Sequence, residues 1–183
     1  LSNGRVAIYT GATPAGQAHR TILSQICADQ LGIDVAAVDV VLGDTGVMPR
    51  GAGTFASRIT VNAGSSVQIA AGQVREKILA LAAAKFGVAE SDLELADGLV
   101  RITGAQGDSI SFAELAKMTS GMPGYVLPQG VVPDLEASGY FTPAQATYSN
   151  GSHVAVVEVD PETGMVTIDD YVVVHDCGNV INP

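Results

Sequence analysis

Between Ile59 or Asn62 and Phe86 the chain carries one long helical pattern, and the rest of the sequence has to pack around it. Val67, Ala70, Ala71, Val74, Ile78, Leu81 and Ala82 fall on a single stripe, and Gly87 supplies a stop. The stripe is rich in alanine and is preceded by Gly64-Ser65-Ser66, so it lacks bulk. Such a surface suits close approach of neighbouring backbone.

Shorter segments on either side supply partners for this helix. Val6–Thr10 alternates and is rich in β-formers, and Val38–Leu42 reads as a second strand. Between them Ile22, Leu23, Ile26, Cys27 and Leu31 recur at helical spacing, which predicts a helix from about Gln17 to Leu31 ended by Gly32. Leu93–Ala96 and Leu99–Ile102 flank Asp97-Gly98, a two-residue hairpin signal. Ser111-Phe112-Ala113-Glu114 fits a capping box that opens a short helix to about Thr119. Two long strands follow, His153–Val159 and Met165–His175, turned by Asp160 to Gly164. Tyr9, Tyr140, Tyr148 and Tyr171 lie in or near predicted strands and read as sheet packing. Helices interspersed with hairpins favour an α+β fold, a mixed β-sheet packed with helices, over a doubly wound parallel sheet. The expected organisation is a strand and helix lobe over 1–119, an extended connector over 120–147, and a long hairpin and tail over 148–183.

Charge excludes several classes of partner. The 9 Lys+Arg and 19 Asp+Glu give a net charge of −10, and the cations are dispersed, so nucleic-acid binding is not expected. No apolar run approaches the ~20 residues of a membrane span, and no signal pattern opens the chain, so no membrane insertion is expected. Cys27 and Cys177 form no C-x-x-C and lie far apart, which indicates neither a zinc site nor a disulfide framework. Reduced thiols in a cytoplasmic protein are the expectation. Charged residues are scarce at 15%, and glycine is abundant at 21 of 183. The chain begins at Leu1 and stops at Pro183 in a loop-like stretch. Few charges suggest surfaces that face other protein, so the chain is expected to be part of a larger one.

Two glycine-rich loops carry the candidate chemistry. Gly11 to Gly16 has the Gly-x-x-x-x-Gly spacing of a phosphate loop, after a strand and before a helix. A nucleoside-triphosphate loop then needs Lys and Ser or Thr, where this chain has Gln17 and Ala18, so a P-loop ATPase is excluded. The strand–loop–helix mouth still suits an anionic or polar ligand, with the Gln17 amide at hand, or it is a plain turn. Gly51-Ala52-Gly53-Thr54-Phe55-Ala56 matches G-x-G-x-x-A but follows no strand directly. Its acidic partner is missing too, since Glu76 lies inside a predicted helix, so it is a weak dinucleotide fingerprint. As a loop that enters a helix through Ser57, it can receive oxyanions on backbone N–H groups. Two such loops raise the prospect of one shared ligand. His19, His153 and His175 read as structural, and a His175–Cys177 nucleophilic pair lacks an orienting group. Asp44 reads as a turn residue.

The motifs together resemble a known family. Gly16-Gln17-Ala18-His19-Arg20-Thr21 with Gln25 resembles the Gly-Gln-Gly-His-x-Thr…Gln signature of molybdenum hydroxylases. Gly43-Asp44-Thr45, Gly53 to Arg58, Val157 to Asp160 with Thr163-Gly164, and Asp176-Cys177-Gly178 with Asn182-Pro183 follow in the family's order. The chain thus resembles part of the molybdopterin-binding region of a carbon monoxide or aldehyde dehydrogenase-type large subunit, in the xanthine oxidase family. The resemblance implies a molybdenum–pyranopterin cofactor, often the cytosine dinucleotide form. It assigns cofactor binding to Gly16, Gln17, Ala18 and His19 and to Phe55, Ala56, Ser57 and Arg58. In that family the cofactor's sulfurs hold the metal, so no protein metal ligand is expected.

The implied whole enzyme hydroxylates or oxidises a carbon centre of a small molecule (carbon monoxide, an aldehyde or an N-heterocycle) with water-derived oxygen. It works with the remainder of the large subunit and with iron–sulfur and flavin subunits or domains. Ala18 departs from the family's glycine. The family's catalytic glutamate has no counterpart between Leu1 and Pro183, so no catalytic residue is assigned and the chain alone is expected to be inactive. The alternative is a catalytically silent interaction or scaffold domain of the same fold.

Overall fold

The first helix begins where Ala18 adopts a left-handed conformation, φ 58°, and ends where Gly32 does the same. A computed structural model describes residues 1–105 and 107–183. They divide into two compact units, Leu1–Pro143 and Ala144–Pro183.

In the first unit strand β1 (Val6–Thr10) leads through a loop into helix α1 (His19–Leu31), which returns to strand β2 (Val38–Leu42). β1 and β2 pair in parallel from Val6↔Val38 to Thr10↔Leu42. A parallel pair needs such a crossover, and α1 supplies it. A loop then leads to a π-helical turn, Thr60–Gly64, which continues as helix α2 (Ser65–Phe86) until Gly87 turns left-handed. Gly64 allows α2 to approach α1, since a Cβ there would stand 3.0 Å from the Ile26 Cδ1 methyl.

Strands β3 (Leu93–Ala96), β4 (Leu99–Ile102) and β5 (Ser109–Ser111) form an antiparallel sheet in that order. Both turn residues between β3 and β4 have positive φ, 55° at Asp97 and 70° at Gly98, as a type I′ hairpin requires. Helix α3 (Phe112–Thr119) opens on a complete capping box, with Ser111 accepting from the Glu114 N–H and Glu114 accepting from the Ser111 N–H. The Ser111 N–H and, after it, the Ser111 hydroxyl donate to the Glu114 carboxyl and hold it below its usual range. The predicted α+β class is observed, with the parallel and antiparallel pairings in separate small sheets.

The core joins these elements. Leu23 and Leu31 of α1, Leu81 of α2, Val100 of β4 and Leu115 of α3 are fully buried. Beyond α3 an irregular segment lies over the same core through Leu127, Val131 and Leu135. The Lys77 ammonium on α2 fastens it, donating to Asp134 and to the Glu136 carbonyl. Gly139 is required there, because a Cβ would stand 2.0 Å from the Ser66 carbonyl oxygen. Cys27 is buried, and burial pushes its thiol up to about 11. At that value it is unreactive.

The second unit is a two-stranded antiparallel ribbon, β6 (Asn150–Val159) and β7 (Val166–Asp176). Its turn is braced by Asp160, which accepts from the Glu162 N–H at 2.8 Å and the Thr163 hydroxyl at 2.7 Å. A bulge between Val156 and Val157 leaves Asp169 without a cross-strand partner. His153, Ala155, Val157 and Val159 share a face with Val166, Ile168, Tyr171 and Val173. The expectation that four tyrosines serve sheet packing holds for Tyr171, whose ring meets His153 of the paired strand edge-on, and is corrected for Tyr140 and Tyr148. Tyr9 and Tyr171 are half exposed, whereas Tyr140 and Tyr148 lie outside the strands with 87% and 86% exposure.

Candidate cofactor-binding loops

The site is built where two loops of the first unit meet. The first runs from the end of β1 into α1, and the second from Arg50 into the π-helical turn before α2. Their backbones touch at Gly11 and Gly51. A Cβ on Gly11 would stand 2.0 Å from the Arg50 carbonyl oxygen and 2.6 Å from the Gly51 Cα. Neither position tolerates a side chain without parting the loops.

A second tie runs through side chains. His19, in the first turn of α1, is 4% exposed, and its Nε2 lies 2.8 Å from Thr54 Oγ1. The Thr54 hydroxyl in turn donates to the Thr13 carbonyl at 2.6 Å. A carbonyl only accepts, so the single hydroxyl proton is committed to Thr13. Thr54 must therefore accept from His19, which fixes the ring as the Nε2–H tautomer when neutral. Its Nδ1 is buried without a partner.

The remaining site residues cluster on the same two loops. Gly16 has φ 105° and open space where a Cβ would sit, and so does Gly53 with φ 68°. Gln17 is exposed, and its Oε1 accepts from the Ala15 N–H at 2.7 Å, which leaves its NH2 as a free donor. Ala18, Ala56 and Ser57 are left-handed, and Asp97 of the hairpin turn is the other non-glycine residue in that conformation among those described. The Arg58 guanidinium lies 4.3 Å above the half-exposed Phe55 ring, and its Nε is buried without a partner.

Backbone strain is thus concentrated at these loops. The left-handed conformation costs a non-glycine residue about 1–2 kcal/mol. Ala18→Gly is therefore expected to raise stability by about 1 kcal/mol. A urea midpoint that stays put or falls would show that the Ala18 methyl makes a compensating contact.

The electrostatics set the loops apart from the rest of the chain. Residues 11–20 and 50–58 contain no Asp or Glu, yet they hold Arg20, Arg50 and Arg58, in a chain with a net charge of −10. Arg20 is committed to the Val40 carbonyl on β2. Neither helix entrance carries a side-chain cap, at Ala18 or at Ile59, so first-turn N–H groups have no side-chain acceptor. Uncapped entrances, free amide donors and a guanidinium suit a polar, phosphate-bearing ligand. Among the described residues no cluster of three His, Cys, Asp or Glu could hold a bare metal ion. A metal at these loops would arrive held by the ligand's own atoms. The donor set and the orphaned nitrogens of His19 and Arg58 fit such a cofactor.

Of the eight residues expected at the site, His19 reaches across to the second loop, through Thr54, and Phe55 pairs with Arg58. Gln17 bonds within its own loop. Thr13 and Thr54 were not among the expected residues. A hydroxyl–carbonyl contact between positions 41 apart leaves no periodic trace in sequence.

Fold and site together define a β–loop–α unit whose two glycine-rich loops converge on an arginine-bearing, carboxylate-free surface. Residues 1–183 match the molybdopterin cofactor-binding domain. The chain belongs to that family, within the molybdenum hydroxylases. It is 37% identical over 182 residues to the nicotine 6-hydroxylase large subunit of Paenarthrobacter nicotinovorans, covering 100% of this chain and 22% of that protein. It is 34% identical over 180 residues to the carbon monoxide dehydrogenase large chain of Hydrogenophaga pseudoflava, covering 98% and 22%. The crystal structure of quinoline 2-oxidoreductase from Pseudomonas putida 86 superposes with a TM-score of 0.84 at 34% identity, over 100% of this chain and 23% of that one. The chain therefore spans less than a quarter of the length of these relatives. No helix among the described residues is long and apolar enough to cross a membrane.

Proposed function

We propose that this chain grips a molybdenum–pyranopterin cofactor, the cytosine dinucleotide form included, within the large subunit of an oxidoreductase. The observation that carries the reading is the convergence of two carboxylate-free loops, tied at Gly11–Gly51 and at His19–Thr54–Thr13. In this reading Gly16 and Gly53 leave room for the ligand. The Gln17 amide and the N–H groups at the α1 entrance donate to it, and the Arg58 guanidinium, braced on Phe55, balances phosphate charge. Ala18, Ala56 and Ser57 bend the backbone so that its amide groups face the ligand. When bound, the cofactor supplies the redox centre at which a small molecule's carbon is hydroxylated with water-derived oxygen. The chain's own residues bind and orient it, and no residue here is assigned as a proton acceptor.

The chain alone is accordingly inactive, and its working context is the remainder of a large subunit with iron–sulfur and flavin partners. The exposed ribbon of the second unit supports that context. Val159, Val166, Ile168 and Val173 are each more than half exposed, and a lone two-stranded hairpin is marginal in water. The rest of the subunit would cover them.

The intact protein from a molybdenum-replete host is expected to carry molybdenum and pterin. Gln17→Ala should lower that content about five- to tenfold at limiting cofactor, the weight of one hydrogen bond. Cys27→Ala should leave the content of the folded protein unchanged. Metal analysis showing equal content in the two variants contradicts the site, and absence of both metal and pterin from the wild type contradicts the reading.

A further inference from the structure

We propose that His19 is a positioning residue, a latch that sets the distance between the two glycine-rich loops through the chain Nε2–H···Thr54 hydroxyl···Thr13 carbonyl. This rests on the cofactor reading only for its purpose, since the latch itself is a property of the chain.

Three observations carry it. The 2.6 Å contact from Thr54 to the Thr13 carbonyl fixes the direction of the hydroxyl proton, and that direction fixes the histidine tautomer. The relay spans both loops, because Thr13 and His19 belong to the first and Thr54 to the second. The buried ring also leaves Nδ1 unpartnered, a cost that a side chain kept only to fill space would avoid. The one polar return for that cost is the bond from Nε2. The latch holds the second loop at its middle, at Thr54, three residues after the Gly51 contact with Gly11 and one before Phe55 of the Phe55–Arg58 pair. Loop two is thereby clamped at Thr54, while the left-handed Ala56-Ser57 portion that follows stays exposed.

The test separates the latch from general packing by using side chains that keep or lose a donor at the Nε2 position. A glutamine places its amide nitrogen close to where Nε2 sits, whereas asparagine is too short. Hydrogen–deuterium exchange is followed in peptides covering residues 11–19 and 50–58 of the intact protein purified from molybdenum-depleted cells. Molybdenum content is measured in parallel on protein from replete cells.

His19→Asn and Thr54→Val should each speed exchange in both loops about tenfold, and molybdenum content should fall with it. His19→Gln and Thr54→Ser should hold exchange near the wild-type rate. Loop exchange unmoved by Thr54→Val, or asparagine and glutamine variants that behave alike, overturns the latch. Variants that show this exchange pattern alongside a wild type that binds no molybdenum support the latch and overturn the cofactor reading alone.

Discussion

Gly11→Ala is expected to cost about 3 kcal/mol of stability and to abolish cofactor retention by the intact protein. A methyl there would enter the Arg50 carbonyl and the Gly51 backbone, at 2.0 and 2.6 Å, and neither is the movable end of a flexible side chain. The two loops must separate to admit it. Gly16→Ala is the control, because its Cβ would face open space and only the left-handed strain of about 1–2 kcal/mol remains. The urea midpoints of the two variants decide the matter. If Gly11→Ala is no more damaging than Gly16→Ala, the loops are not in backbone contact.

The second large effect lies beneath the site. Leu81 of α2 is 1% exposed at the centre of the core, and Leu81→Ala is expected to cost about 2–5 kcal/mol through lost burial and an unfilled cavity. Its signature is the reverse of that of Gln17→Ala. The folded fraction should fall steeply, while the protein that remains folded retains its cofactor. A Leu81→Ala protein that keeps full stability would mean the core collapses around the gap, and one that stays folded but loses cofactor would tie α2 packing to the loops.

Much of this architecture was legible because the signals were local. Gly32 and Gly87 end their helices through their own left-handed backbone, and Asp97-Gly98 and the Ser111 box act within four residues. Strand β5 escaped because Ser109-Ile110-Ser111 is too short to show a period, and its pairing with β4 is a property of the fold. Tyr140 and Tyr148 misled because an aromatic near a β-rich stretch reads as packing whether or not a sheet surface reaches it. For the site, glycine spacing just ahead of a helix marked both loops in sequence. What joins them, the Gly11–Gly51 contact and the Thr13–Thr54–His19 relay, depends on which loops the β1–α1–β2 crossover brings together, and no single segment encodes that.

The π-helical turn at Thr60–Gly64 has a consequence for how this segment tolerates length change. A π turn spends one residue more per turn than an α-helix, so it stores an insertion without breaking the helix. Deleting one residue among Thr60–Gly64 would let the turn relax to regular helix. It would also rotate everything before it, Ser57 and Arg58 included, by about 100° around the helix axis. The turn thus acts as an angular gauge. It sets which direction the second loop faces, and a single-residue deletion here would be felt as a misaimed loop in a helix that still folds.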